Sequence, residues 1–255
     1  MNQIFPRNPK YGWIPDLPDQ RDIPYVRLAA VIPPLPSAVD LRKYCSPIEN
    51  QGKLGSCTAF ALVGNLEFLK KRTMKKLIDF SHLFLYYNER ILRNSQESDS
   101  GSSLRDGIKT LVKAGDCLKS LWPYVVKKFA IKPSADAYKN ALNYQILNYY
   151  RLYTIDEMKH TISSGFPFVF GFAVYKSFES KEVKKTGIIP LPTLNERMVG
   201  GHAVCVVGYD DNKKWFISRN SWGNGWGDKG YFYMPYAYIT NRSLSADFWT
   251  IRDME

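Results

Sequence analysis

The run Cys57-Thr58-Ala59-Phe60-Ala61-Leu62-Val63-Gly64-Asn65-Leu66-Glu67-Phe68-Leu69-Lys70 is apolar nearly all round. A helix of that kind is stable only where other elements enclose most of its faces, so the remaining chain must be arranged around it. A chain of 255 residues that is 45% apolar and 15% aromatic has the material to do so, in one large core or two moderate ones.

The neighbouring segments supply the enclosure. A second helix is expected from Ser81, with that serine as N-cap and Leu83, Phe84, Tyr87 and Ile91 facing inward. A third follows Ser103 and stops near Gly115, a residue suited to a helix C-terminus. The second half changes period: the segments 167–174, 202–207 and 215–217 read as short strands. Helices first and strands later predict an α+β fold in two lobes, a helical one over about 44–146 and a β-rich one over about 147–250 plus 36–43, with a cleft between them.

Residues 1–35 form a different unit. Pro6, Pro9, Pro15, Pro18, Pro24, Pro33 and Pro34 keep this arm extended, while Tyr11, Trp13 and Tyr25 give it apolar surface to bury. The first residues lack the apolar core of a secretory signal, and no stretch is long and apolar enough to span a membrane. The formal net charge of +11 would attract nucleic acid or acidic surfaces, but the densest basic run, Lys70-Lys71-Arg72 with Lys75-Lys76, has no interleaved aromatics and reads as a solvated helix end. The cysteines Cys45, Cys57, Cys117 and Cys205 do not fall in zinc-type pairs. No metal or cofactor is expected. Few cysteines and no export signal favour an intracellular or virion-packaged monomer over a secreted protein.

A thiol attacks a carbonyl only as thiolate, which a helix N-terminus or a nearby imidazolium favours. Cys57 opens the buried helix after Gly52, Gly55 and Ser56, which let the chain turn tightly into it. The segment Gln51-Gly52-Lys53-Leu54-Gly55-Ser56-Cys57-Thr58-Ala59-Phe60 resembles the nucleophile segment of papain and the cathepsins. Gly201-His202-Ala203-Val204 with Val207-Gly208-Tyr209 resembles that family's histidine strand, and Asn220-Ser221-Trp222-Gly223-Asn224-Gly225-Trp226-Gly227 its asparagine segment. Taken alone, a cysteine is usually a small buried hydrophobe; three motifs in the family's order override that reading. His82 and His160 lie outside the motifs and read as structural or solvated.

The resemblance implies a papain-like cysteine endopeptidase of the short-armed subgroup seen in bacteria and large DNA viruses. It makes Cys57 the nucleophile, His202 its base, Asn220 the residue that orients the imidazole, and Gln51 an oxyanion donor. Trp222 would shield the His202–Asn220 contact. Gly55 and Ser56 would line the cleft, and Gly101 and Ser102 would hold an extended peptide. The pocket for the second residue before the cut would be bounded by Ser103, Leu104, Gly171, Gly200, Gly201 and Ala246, roomy enough for a large apolar or aromatic side chain, with Asp247 beside its floor. Leu54 stands where most members have a disulfide-bonded cysteine, and Thr58 where an aromatic residue usually follows the nucleophile. The arm is too short for a helical prodomain and is expected to lie across the cleft as a pro-segment, the alternative being a permanent brace. A transglutaminase or amidase would place an aspartate rather than Asn-Ser-Trp-Gly behind the histidine. A binding protein on the same fold has no reason to keep Gln51, Cys57, His202 and Asn220 together.

Overall fold

A computed structural model describes residues 10–25 and 34–254. Pro6, Pro9 and Pro33, with the rest of segments 1–9 and 26–33, lie outside the described residues, as does Glu255. The first strand, β1 (Ala38–Asp40), precedes three helices: α1 (Cys57–Met74), α2 (His82–Ile91) and α3 (Leu104–Lys113). Every residue of α1 from Cys57 to Lys70 is buried, as its all-round apolar sequence requires. Ser81 caps α2 by accepting the Phe84 N–H, and Ser103 caps α3 by accepting the Asp106 N–H. Gly115, at φ +69°, takes the left-handed conformation that ends α3.

The second half supplies the strands β2 (Ile146–Arg151), β3 (Phe168–Tyr175), β4 (Met198–Asp210), β5 (Trp215–Arg219), β6 (Tyr231–Pro235) and β7 (Ser245–Met254). They form one antiparallel sheet in the order β2-β7-β3-β4-β5-β6, with β1 paired to β4. Helix α1 packs on β4 and β3 in a core continuous across both lobes. The molecule is therefore the expected α+β arrangement, with α1 as the wall shared by helices and sheet.

Two local expectations are corrected. Ile91 is 38% exposed, not inward-facing; it is the last residue of α2, where the chain turns away from the core. The basic run at the end of α1 is only partly solvated. Lys71 Nζ donates to the Cys45 carbonyl at 2.6 Å and Arg72 donates to the Gly165 carbonyl, because two loops lie against that turn and offer unpaired acceptors.

Candidate active site

Cys57 heads α1, His202 lies inside β4, and Asn220 follows the last residue of β5. Pairing of β4 with β5 brings the second and third of these together, and the packing of α1 on β4 supplies the first. Asn220 Oδ1 accepts the Ser221 backbone N–H at 2.9 Å, which identifies that atom as the oxygen. His202 Nε2 lies 2.9 Å from the same oxygen and so donates to it, which leaves Nδ1 as the ring's acceptor. Nδ1 is buried without a hydrogen-bond partner. Trp222 stacks obliquely on the imidazole, with ring centroids 5.1 Å apart, and Phe172 meets its edge at 5.7 Å.

The arm closes this site. The Gly12 N–H faces the Cys57 sulfur, and the Tyr11 ring lies edge-on to His202, 6.1 Å between centroids. Gln51 Nε2 donates to the Lys10 carbonyl at 3.1 Å and to the Leu54 carbonyl at 2.9 Å, while its Oε1 accepts from Ser221 Oγ. The amide expected to meet an oxyanion is thus turned toward a carbonyl oxygen of the arm. Lys10 Nζ sits 3.3 Å from the Trp222 ring centroid, and the Tyr11 hydroxyl donates to Glu179 at 2.5 Å.

Beyond Gly12 the arm pairs with the wall expected to bind peptide. Ser102 N–H donates to the Gly12 carbonyl at 2.8 Å, Ile14 N–H to the Ser102 carbonyl at 2.9 Å, and Trp13 N–H to the Gly201 carbonyl at 3.0 Å. The bridge between Trp13 and Ser102 is parallel. The approach is so close that a Cβ on Gly101 would lie 2.1 Å from the Gly12 carbonyl oxygen. A Cβ on Gly200 would meet Tyr11, and one on Gly171 would fall inside the Trp13 indole. The Trp13 indole N–H reaches Asp247 Oδ2 at 3.2 Å. Ala246 pairs with Gly171 across β7 and β3. Ser103 spends its hydroxyl on capping α3, and Leu104 is wholly buried behind it. Gly55 donates its N–H to Asp99 at 3.0 Å, and Ser56 Oγ meets the Tyr124 hydroxyl at 2.7 Å, so both hold the loop before Cys57.

An ion network then pins the arm. Arg151 reaches Asp22 and Asp247 at 2.8 Å each and Asp16 at 3.2 Å. Arg105 holds Asp22 at 2.5 Å, and the Asp16 N–H donates to Asp247 at 2.7 Å. Sequence reasoning missed Arg105 and Arg151. The available signal was Asp16, Asp19 and Asp22 recurring in the proline-rich arm of a basic chain. His82 pairs with Glu49 at 2.9 Å, and His160 meets the Tyr25 hydroxyl of the arm at 2.8 Å.

With the arm in place, burial favours the neutral forms of Cys57 and His202. Burial pushes the Cys57 thiol up to about 12, against the opposing pull of the Ala203, Gly12 and Thr58 amides, and Glu89 pushes it further. Burial likewise holds His202 down to about 3, which its bond to Asn220 opposes. The thiolate expected at Cys57 is therefore absent from this state. Taking both groups out of water removes the solvation that charge separation needs.

A sequence model described as papain family cysteine protease matches residues 35–245. The chain is 41% identical over 270 residues to an uncharacterized peptidase C1-like protein of Acanthamoeba polyphaga mimivirus, covering 96% of this chain and 87% of that one. It is 31% identical over 208 residues to the thiol protease aleurain of Arabidopsis thaliana, with 78% of this chain spanning 56% of that relative. Among solved structures, xylellain, a cysteine protease from Xylella fastidiosa, superposes with a TM-score of 0.90 at 42% identity over 99% of this chain and 100% of its own.

Proposed function

The chain belongs to the papain family of cysteine proteases, and from that premise we propose a zymogen-like endopeptidase whose nucleophile is Cys57 and whose arm, residues 1–35, restrains it, with the described part around Lys10–Trp13 occupying the cleft backwards. In the open enzyme Cys57 Sγ, having passed its proton to His202 Nδ1, bonds to the substrate's carbonyl carbon. Gln51 Nε2 then stabilises the oxyanion. As the C–N bond breaks, His202 gives its proton to the leaving amine, and water, deprotonated by the same nitrogen, releases the thioacyl group as an acid. Asn220 holds the ring in the required tautomer.

The observation that carries the restraint is chain direction. In a substrate the pocket residue precedes the attacked carbonyl. In the arm, the carbonyl on Gln51 belongs to Lys10, and the residue in the pocket is Trp13, which follows it. The arm therefore fills the subsites without presenting a bond for cleavage. The pocket contacts also refine the substrate. Asp247 Oδ1 is bound by Arg151 and Oδ2 by the Trp13 indole N–H, so an aromatic side chain bearing an N–H or O–H donor is favoured as the second residue before the cut.

The buried ion network suits a permanent brace as well, and the two readings separate in one experiment. Hydrolysis of dipeptide amides and thermal unfolding are measured for the full chain, for Trp13→Ala in the full chain, and for a chain beginning at Leu35. Restraint predicts a slow full chain and faster, still folded variants that prefer Trp or Tyr over Leu in the pocket. Variants that stay slow or unfold would make the arm a brace. Turnover that survives Cys57→Ala would remove the nucleophile assignment.

A further inference from the structure

Thr58 occupies the position directly after the nucleophile. Its hydroxyl donates to Glu89 Oε2 at 2.7 Å, wholly inside the protein, and Glu89 on α2 is 0% exposed. The space for this carboxyl is made by Gly107 on α3, where a Cβ would lie 2.7 Å from Glu89 Oε1. The same carboxyl faces the Ser102 hydroxyl, beneath the backbone edge that holds the arm, although neither that hydroxyl nor Oε1 completes a hydrogen bond. One buried acid thus stands behind both the first turn of the nucleophile helix and the peptide-binding edge.

We propose that Glu89 is a positioning residue for the nucleophile, acting through the Thr58 hydroxyl. The Thr58 backbone amide is one of the three that favour a charged Cys57 sulfur. Gripping the Thr58 side chain fixes that amide relative to Sγ without touching substrate. The inference rests on the reading of Cys57 as nucleophile.

Electrostatics supports the geometry. A charged Glu89 would oppose a thiolate, and it does push the Cys57 thiol up. Burial raises the Glu89 carboxyl to about 8, a shift the Thr58 bond and Arg90 on α2 oppose and Asp106 on α3 reinforces. Asp116, buried after α3, and Cys57 on α1 also sense Glu89. Near neutral pH the acid is therefore protonated and grips Thr58 without adding charge. Above its raised pKa it ionises and penalises the thiolate.

The test uses the full chain carrying Trp13→Ala to open the cleft. Iodoacetamide labelling of Cys57 is followed by mass spectrometry from acid to alkaline pH, alongside kcat and KM on a peptide amide and thermal unfolding. Thr58→Val and Glu89→Ala are expected to slow labelling and lower kcat by roughly tenfold, the scale of one lost buried hydrogen bond, with KM little changed. Thr58→Ser should restore both. Glu89→Gln should keep the neutral-pH rate and lose the inflection near pH 8. If Thr58→Val folds with the parent's labelling rate and pH profile, or if the variants lose only thermal stability, Glu89 is structural and the inference falls alone. Turnover that survives Cys57→Ala would overturn the nucleophile reading and this inference together.

Discussion

At the scale of single residues, the site is decided by which atoms the arm brings to Cys57. Gly12 threads the narrowest point, where an added Cβ would lie 1.7 Å from the Gly55 carbonyl oxygen and 2.4 Å from its carbon. Both are backbone atoms of the loop that leads into Cys57, so neither can swing away. Gly12→Ala in the full chain should therefore lift the arm, an overpacking cost of about 1–3 kcal/mol, and raise hydrolysis roughly tenfold. Unchanged hydrolysis would mean that the arm does not limit access. Cys57 labelling in the unmodified chain should be as slow as that of Cys205, since both thiols are buried and pushed up. Selective labelling of Cys57 is expected only once the arm is displaced.

At the scale of elements, the arm behaves as an added strand tied at one end by charge. Its bridge to Ser102 involves few backbone bonds, whereas Arg151, on β2, joins two arm aspartates to Asp247 on β7. Arg151→Ala leaves Asp16, whose side chain is fully buried, beside Asp247 with its cation gone. Removing one member of such a group is destabilising by about 3–5 kcal/mol, and the arm is the element free to leave. Full-chain hydrolysis should rise while the Leu35-start chain is much less affected by the same change. Equal effects in both chains would place the role of Arg151 in the body instead. The two helix caps, Ser81 and Ser103, and the glycine ending α3 were legible beforehand because capping is local. Arg151 was not, since its partners at Asp16 and Asp247 are brought to it from opposite ends of the chain.

For the whole molecule, the proposed restraint should depend on pH. Burial and the nearby Asp16 carboxylate hold Asp247 above the usual carboxylate range, with Arg151 opposing. When the arm leaves, Asp16 leaves with it and water returns, so Asp247 falls back toward about 4. The docked state thus binds more protons than the open one. Docking is fully supported below the ordinary carboxylate pKa and weakens as pH rises through the raised one. Hydrolysis by the full chain, divided by that of full-chain Trp13→Ala at each pH, should increase from acid toward neutral pH. Asp247→Asn should flatten the ratio. A ratio that rises on acidification would show that Asp247 does not dominate the linkage.

The amino-acid order by itself determined the buried helix beginning at Cys57, the strands that carry His202 and precede Asn220, and the grouping of those residues with Gln51 in one family pattern. Those features are written in contiguous segments, where periodicity, capping chemistry and turn glycines act over a few residues. The protonation state of the site, the reversed path of the arm and the grip of Glu89 on Thr58 were decided only by tertiary structure. Each depends on desolvation or contact by segments remote in the chain: Asp16 meets Asp247 across 231 positions and Thr58 meets Glu89 across 31. A side chain's chemistry is fixed by its identity, but its pKa is fixed by what excludes water from it. At Cys57 and His202 the arm shares that task with Trp222 and Phe172, and its tyrosine and tryptophan announced burial without showing which surface they would cover.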